Sequence, residues 1–436
     1  MRTIVKQILI PAIIICLAAH SLAAGSTHYS IRLKLEPEAR YLGVSTLIRF
    51  VQPKGETTFI QFYLHKQMEI TTLTGPAIAS YSFDKETPSP IPYFPMGRLL
   101  EIQLKQPLKA GQSVQFNIEY DGYITQWPDW SPNIVAKEWT EIGLYLPWFP
   151  YNPQHGDFRF DMAVTAPPGY TVAGFGPGRQ HQHTLFFNCN RPVNDIVVVA
   201  SKFMKQERLT KTTSNIRVFH STITQETARG IAADLANILQ LYETWYGGHE
   251  NKDITLVESA RSRGGGYARP GLIVLANLSD AGYTQKHATY IRYLAHEAAH
   301  IWWRNADTST WEDWMNEGFA EYSALMVLEK VFGSEEYTTR MKLKDREIKG
   351  TPPIWGFDRA DQSTPASIKT AELLLYSKAP LILAQFRRRL KHQRYLDFCK
   401  TLIATNAGST DHLLTILKEK HGDGFKTWLT KMLKTF

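Results

Sequence analysis

The 436 residues predict a multi-domain chain: an N-terminal all-β domain followed by an α+β domain whose second half is mostly helical. Three observations lead there. Apolar residues alternate with period two from 29 to about 205, turn residues interrupt them at short intervals, and helical periodicity takes over afterwards.

In YSIRLKL, residues Tyr29, Ile31, Leu33 and Leu35 fall on one side of a strand. FIQFYL from Phe59, and Val114, Phe116, Ile118 and Tyr120 in VQFNIEY, repeat the pattern, as half-buried strands do. Gly111, the pair Asp121 and Gly122, PPG at 167–169 and GPG at 176–178 supply the turns. After DIVVVAS the texture changes. Ile231, Leu235, Ile238, Leu239 and Tyr242 line one helical face, with Gly247 and Gly248 as the stop. DITLVES and PGLIVLAN read as strands, and from about 286 helices dominate through KTWLTKMLKTF. The division is a leader over 1–24, a β domain over 25–204 and the α+β domain over 205–436.

The leader reading rests on Arg2 and Lys6, an apolar run from Ile8 to Ala19, and small residues at Ser21, Ala23 and Ala24 suited to cleavage. It implies export, periplasmic or secreted. The run is short for a spanning helix, so a membrane association would require that the leader stay uncleaved as an anchor. Formal charge is +8, including Arg2 and Lys6. Such mild basicity, with RRRLKHQR at 387–394 following an apolar helical stretch, gives a solvated face, and nucleic acid is not an expected partner. Cys16 belongs to the leader, and Cys189 and Cys399 are expected as buried thiols in different domains.

HEAAH at 296–300 carries the chemistry. On a helix, residues four apart share a face, so His296 and His300 can aim their imidazoles at one point with Glu297 beside it. Two histidines on a buried apolar helix are also an ordinary core feature, and this five-residue pattern arises by accident in roughly a few per cent of chains this long. A catalytic zinc takes three protein ligands and keeps one position open, commonly two histidines and a glutamate. In WMNEGFAEY, Glu317 is the leading third ligand and Glu321, one turn on, a partner that orients a histidine; Glu312 and Asp313 are also near in sequence. Glu297 is then free to act as base toward a zinc-acidified water, and the oxyanion of an amide under attack still wants a second donor.

At these residues the chain resembles the aminopeptidase N family of gluzincin metallopeptidases, which includes leukotriene A4 hydrolase. HEAAHIWW followed by WMNEGFAEY matches that family's signature, which places one zinc ion on His296, His300 and Glu317 and the base at Glu297. The spacing from His300 to Glu317 is two residues shorter than usual, as a trimmed loop between two helices would make it. The family's Tyr-x-Lys segment is matched in LLLYSKAPLIL by Tyr376 and Lys378, which implies Tyr376 as oxyanion donor; without the resemblance, Tyr376 reads rather as part of an amphipathic core helix. FNIEYDGY, DFRFDMAVTAPPGYTVAGFG and RPVNDIVVVASKF are similar to pieces of the family's saddle-like β domain, and GDGFKTWLTKML to the close of its thermolysin-like domain. The large helical C-terminal domain of many members is missing, so the resemblance implies a compact form with a more open cleft.

One departure bears on specificity. Where the family has Gly-Ala-Met-Glu-Asn before Pro-Gly, an edge strand whose glutamate binds the substrate amine, this chain has Gly265, Gly266, Tyr267, Ala268 and Arg269. These five are the expected substrate-binding residues, with Ala268 where the carboxylate would stand. Arg269, with Arg261 and Arg263 nearby, is expected either to hold a substrate carboxylate or to sit on the surface of a glycine-rich loop. The resulting expectation is a peptide-hydrolysing zinc metallopeptidase, aminopeptidase-like on short peptides. An endopeptidase or oligopeptidase without the amine anchor is one alternative, and a non-catalytic binding protein that keeps the fold is another.

Overall fold

The computed structural model describes residues 26–209, 214–261, 265–361 and 364–436. The leader and Arg263 lie outside the described residues. The N-terminal part is all β, as the period-two pattern predicts. Its largest sheet has seven strands in the order Arg179–His181, Thr184–Val193, Phe158–Thr165, Thr27–Glu36, Tyr41–Val51, Ser113–Tyr123, Glu69–Thr74. Thr27–Glu36 pairs parallel with Phe158–Thr165 and antiparallel with Tyr41–Val51. Tyr29, Ile31, Leu33 and Leu35 are buried while Arg32 and Lys34 are exposed, so one face packs and the other is solvated. A three-stranded sheet (Glu56–His65, Gly97–Lys109, Ile78–Pro88) and a four-stranded one complete this part.

A five-stranded sheet opens the second part, in the order Lys205–Leu209, Asn215–His220, Asp253–Glu258, Leu272–Leu275, Tyr267–Arg269. It is shared between two cores. Ile254, Leu256, Ile273 and Leu275 pack with the helices, whereas Val257, Leu272 and Val274 pack with the β domain. Burial on both faces is why PGLIVLAN is an unbroken apolar run rather than an alternating one. Pro270 and Gly271, the latter at φ 74°, turn the chain tightly between Tyr267–Arg269 and Leu272–Leu275.

The described residues hold ten α-helices, in chain order α1 (Gln225–Tyr246), which lies between the second and third of these strands, α2 (Asp280–Gln285), α3 (His287–Ala299), α4 (Trp314–Phe332), α5 (Ser334–Glu347), α6 (Pro365–Leu373), α7 (Ala379–Leu390), α8 (His392–Ala404), α9 (Thr410–His421) and α10 (Asp423–Thr435). The expected face of α1 is buried from Ile231 to Tyr242, its start capped by the Thr224 side chain. Among the described residues no helix is long and apolar enough to cross a membrane. Cys189 and Cys399 are buried and unpaired.

Candidate active site

Helix α3 carries HEAAH to its C-terminal end, where His300 closes the last turn. Helix α4 packs across it. Gly318 makes room on the other side of α4: a Cβ there would stand 2.6 Å from Cβ of Ala379, so glycine lets the start of α7 press against the turn that holds Glu317. The shortened connection between α3 and α4 is stitched by Asn316, which accepts from the Ala306 N–H at 3.1 Å and donates to the Ala306 carbonyl at 3.0 Å. Trp303 stacks on Phe319 at 4.4 Å. The loop thus closes without carrying Glu317 away from the histidines.

His296, His300 and Glu317 present ligand atoms that all lie within 4.8 Å of one another. Glu317 Oε2 stands 3.2 Å from His296 Nε2 and 3.6 Å from His300 Nε2. That oxygen is buried and makes no hydrogen bond. His300 Nδ1 lies 3.0 Å from the Trp303 carbonyl, which assigns its proton to Nδ1 and leaves the Nε2 lone pair facing inward. Two imidazole nitrogens and an orphaned carboxylate oxygen converging in a buried corner are the donor set a zinc ion takes. The residues therefore fit a zinc ion.

Glu321 stands behind this corner. Its Oε2 is 3.2 Å from His296 Nδ1, though off the line of a good hydrogen bond. Both its oxygens accept from Arg292 Nη1 at 2.7 Å, and Oε1 also meets Lys344 Nζ at 2.7 Å. Burial opposes ionisation of Glu321, yet Lys344, Arg292 and His296 outweigh it and hold its carboxyl well below the usual range. Neither cation was identified from the sequence: their partner lies on another helix, and no spacing rule connects them. Glu312 and Asp313 are committed elsewhere. Glu312 accepts from the N–H and hydroxyl of Thr410, and Asp313 pairs with Arg359 at 3.0 Å.

Glu297 is buried beside the ligand set, and burial raises its carboxyl above the ordinary value against the pull of His296 and His300. A raised carboxyl is a better-matched proton acceptor and donor near neutrality. Tyr376 sits in a π-helical segment, Leu374–Lys378, between α6 and α7, its ring centroid 5.6 Å from that of His296. Burial, then the charges of Glu317, Asp313 and Glu297, push its hydroxyl far above 10, so it stays an O–H donor. Lys378 points away from the site, donating to the carbonyls of Thr351, Pro352 and Phe436.

The edge strand Tyr267–Arg269 behaves as strand alternation requires. Ala268 pairs with Ile273 and packs on the helical side, while Tyr267 and Arg269 turn to the β domain. Gly266 is needed for close approach: a Cβ would meet the Val274 carbonyl at 2.7 Å and the Tyr293 hydroxyl at 2.8 Å. Gly265 has no such contact, its hypothetical Cβ lying 3.9 Å from the same hydroxyl.

The expectation for Arg269 is corrected. It is neither a surface arginine nor a substrate carboxylate ligand, because its guanidinium donates to Asp195 at 2.9 Å in a pair only 11% and 1% exposed, sandwiched near the rings of Tyr145 and Tyr267. Arg261 is likewise turned inward, 3.7 Å from Glu141. Glu141 also accepts from Trp139 Nε1, Ser259 Oγ and the Tyr267 hydroxyl at 2.6 to 3.0 Å. Burial lifts both Asp195 and Glu141 above ordinary carboxyl values, and Arg269 and Arg261 respectively pull them back.

Residues 264–436 match the peptidase family M1 domain. A search of curated proteins finds no match. Among solved structures, an M1 zinc metallopeptidase from Deinococcus radiodurans superposes with a TM-score of 0.72 at 17% identity, covering 95% of each chain. A two-domain M1 zinc metallopeptidase variant bound to L-arginine gives 0.73 at 17% identity over 94% of each chain. A Deinococcus radiodurans variant bound to a Tyr-Ser-Ala substrate gives 0.67 at 17% identity, over 94% of this chain and 95% of that one. The all-β first part and mostly helical second part are the fold these structures share, and residues 264–436 are similar in sequence to the peptidase family M1 domain.

Proposed function

We propose that the chain is an exported zinc metallopeptidase that hydrolyses peptide bonds, aminopeptidase-like on short peptides. The observation that carries the reading is the buried Glu317 oxygen without a hydrogen bond, facing two inward-turned imidazoles. Zinc held by His296, His300 and Glu317 would supply the Lewis acidity that polarises the scissile carbonyl and acidifies a water. Glu297 takes the proton of the attacking water on its carboxylate and returns it to the departing amine nitrogen. The Tyr376 hydroxyl donates to the oxyanion that forms. The edge strand Tyr267–Arg269 offers backbone groups along which an extended peptide can pair. The Tyr-Ser-Ala complex of the similar bacterial peptidase supports a short-peptide substrate here.

Ala268 favours a second reading, an oligopeptidase that does not anchor the substrate amine. Two buried carboxylates that contact that strand, Asp195 and Glu141, already neutralise Arg269 and Arg261. Metal analysis of the mature protein, combined with a peptide digest read by mass spectrometry, tests both. Zinc and stepwise removal of N-terminal residues are expected. Equal cleavage of peptides with free and acetylated amino termini would discard the aminopeptidase reading, and absence of both zinc and cleavage would discard the function.

A further inference from the structure

We infer that Lys344 is a positioning residue that fixes the oxyanion-stabilising tyrosine against the histidine side of the metal site; the inference rests on the function proposed above. Pro380, four residues beyond Tyr376, has no N–H to return to the Tyr376 carbonyl, so the α-helical bond at that point does not exist. The chain widens there into the π-helical segment Leu374–Lys378, and the Lys344 ammonium takes the carbonyl at 2.5 Å. The same ammonium stands 2.7 Å from Glu321 Oε1, whose other oxygen faces His296. One cation, its side chain only 12% exposed, therefore joins the backbone of Tyr376 to the carboxylate behind a metal-binding imidazole.

Helix α5, which delivers Lys344, has no fully buried residue. Tyr337 and Met341 give it a partial apolar footing, and the rest of its attachment is polar. Arg340 donates to Thr289 on α3 at 3.0 Å, and Glu347 accepts from Ser377, the residue after Tyr376, at 2.7 Å. Arg340, Lys344 and Glu347 lie at helical spacing on one side of α5 and touch α3, α4 and the tyrosine segment in turn. The helix acts as a strap across the elements that must agree in position for hydrolysis.

The experiment compares the zinc-loaded wild type with K344M, Y376F, the double variant and K344R. K344M is expected to keep the wild-type circular dichroism spectrum and to lose at least about tenfold in kcat with KM unchanged, because a misplaced donor costs the transition state and not ground-state binding. Competition against a chromophoric chelator should show zinc held about tenfold more weakly, as for loss of groups that orient a ligand. Adding K344M to Y376F should cost nothing further in kcat, since both remove the same donor, and K344R should recover part of the loss. Multiplicative losses in the double variant, or an unchanged zinc affinity in K344M, would overturn the inference. If K344M does not fold, K344Q, which keeps a donor for the carbonyl but no charge for Glu321, is read by the same titration and kinetics. Should the wild type cleave no peptide, the proposed function falls while the chelator titration still decides the link from Lys344 to the metal site.

Discussion

Two buried acidic corners lie within this molecule, and their carboxylates are spent differently. At the junction of α3 and α4, Glu317 keeps an oxygen with no hydrogen bond, aimed at two imidazole nitrogens. At the edge strand Tyr267–Arg269, Asp195 and Glu141 are more deeply buried than Glu317, but each is matched by an arginine and by hydrogen-bond donors from the protein itself. A buried carboxylate must be compensated in either case. Where the compensation is built in, the group holds the two domains together; where it is left for a cation, the group is available for chemistry.

The largest expected effect breaks the metal corner without emptying it. Glu297→Gln should reduce peptide hydrolysis by about 10³- to 10⁴-fold, since general-base catalysis is lost, while leaving zinc content near one ion per chain because Glu297 is not among the converging ligands. Steady-state kinetics and metal analysis on the same sample check this. A variant that retains most of its activity would mean that the proton is taken by another group.

Next in size is the structural corner. Arg269→Met should cost about 3 to 5 kcal/mol of stability, because it strands Asp195 as a buried, uncompensated charge. Denaturant unfolding measures the loss. Combining it with Asp195→Asn, which keeps an acceptor for the Leu144 N–H but removes the charge, should recover much of it. If the pair is no better than the single substitution, Arg269 matters for its packing between Tyr145 and Tyr267 rather than for its charge.

The contrast also explains what could be read from the amino-acid sequence. The i, i+4 histidines and the glutamate on the following helix are local periodicity, so the convergence of HEAAH and Glu317 as a candidate metal site is legible in the sequence. Tyr376 was legible only through a family resemblance, since its placement depends on the π-helical widening before Pro380 and on Gly318 admitting α7 to α4. The division into a β and a helical part is legible from hydrophobic period, and PGLIVLAN as a strand, while its burial on both faces is shown only by the structure. The place of Arg269 is not legible in the sequence because its partner is 74 residues away in the β domain, and nothing in GGYARPG reveals which way the strand faces. The roles of Arg292 and Lys344 are hidden for the same reason: long-range charge pairing leaves no local signature.

The smallest expected effect sharpens the comparison at the one edge-strand position that faces the helices. Ala268→Glu would add a carboxylate on the side of the strand that packs toward α3, where none of the existing arginine pairs neutralises it. A substrate ammonium is then its natural partner, and one charge-assisted hydrogen bond contributes about 1.5 to 3 kcal/mol. The ratio of kcat/KM for a free-amine peptide over its acetylated form should therefore rise about tenfold or more. If the wild type already discriminates strongly and the substitution changes nothing, the amine is held by another group, and Glu141 would have to exchange one of its present donors for the substrate. If the wild type does not discriminate and Ala268→Glu creates the preference, the missing carboxylate alone separates this chain from an amine-anchoring peptidase.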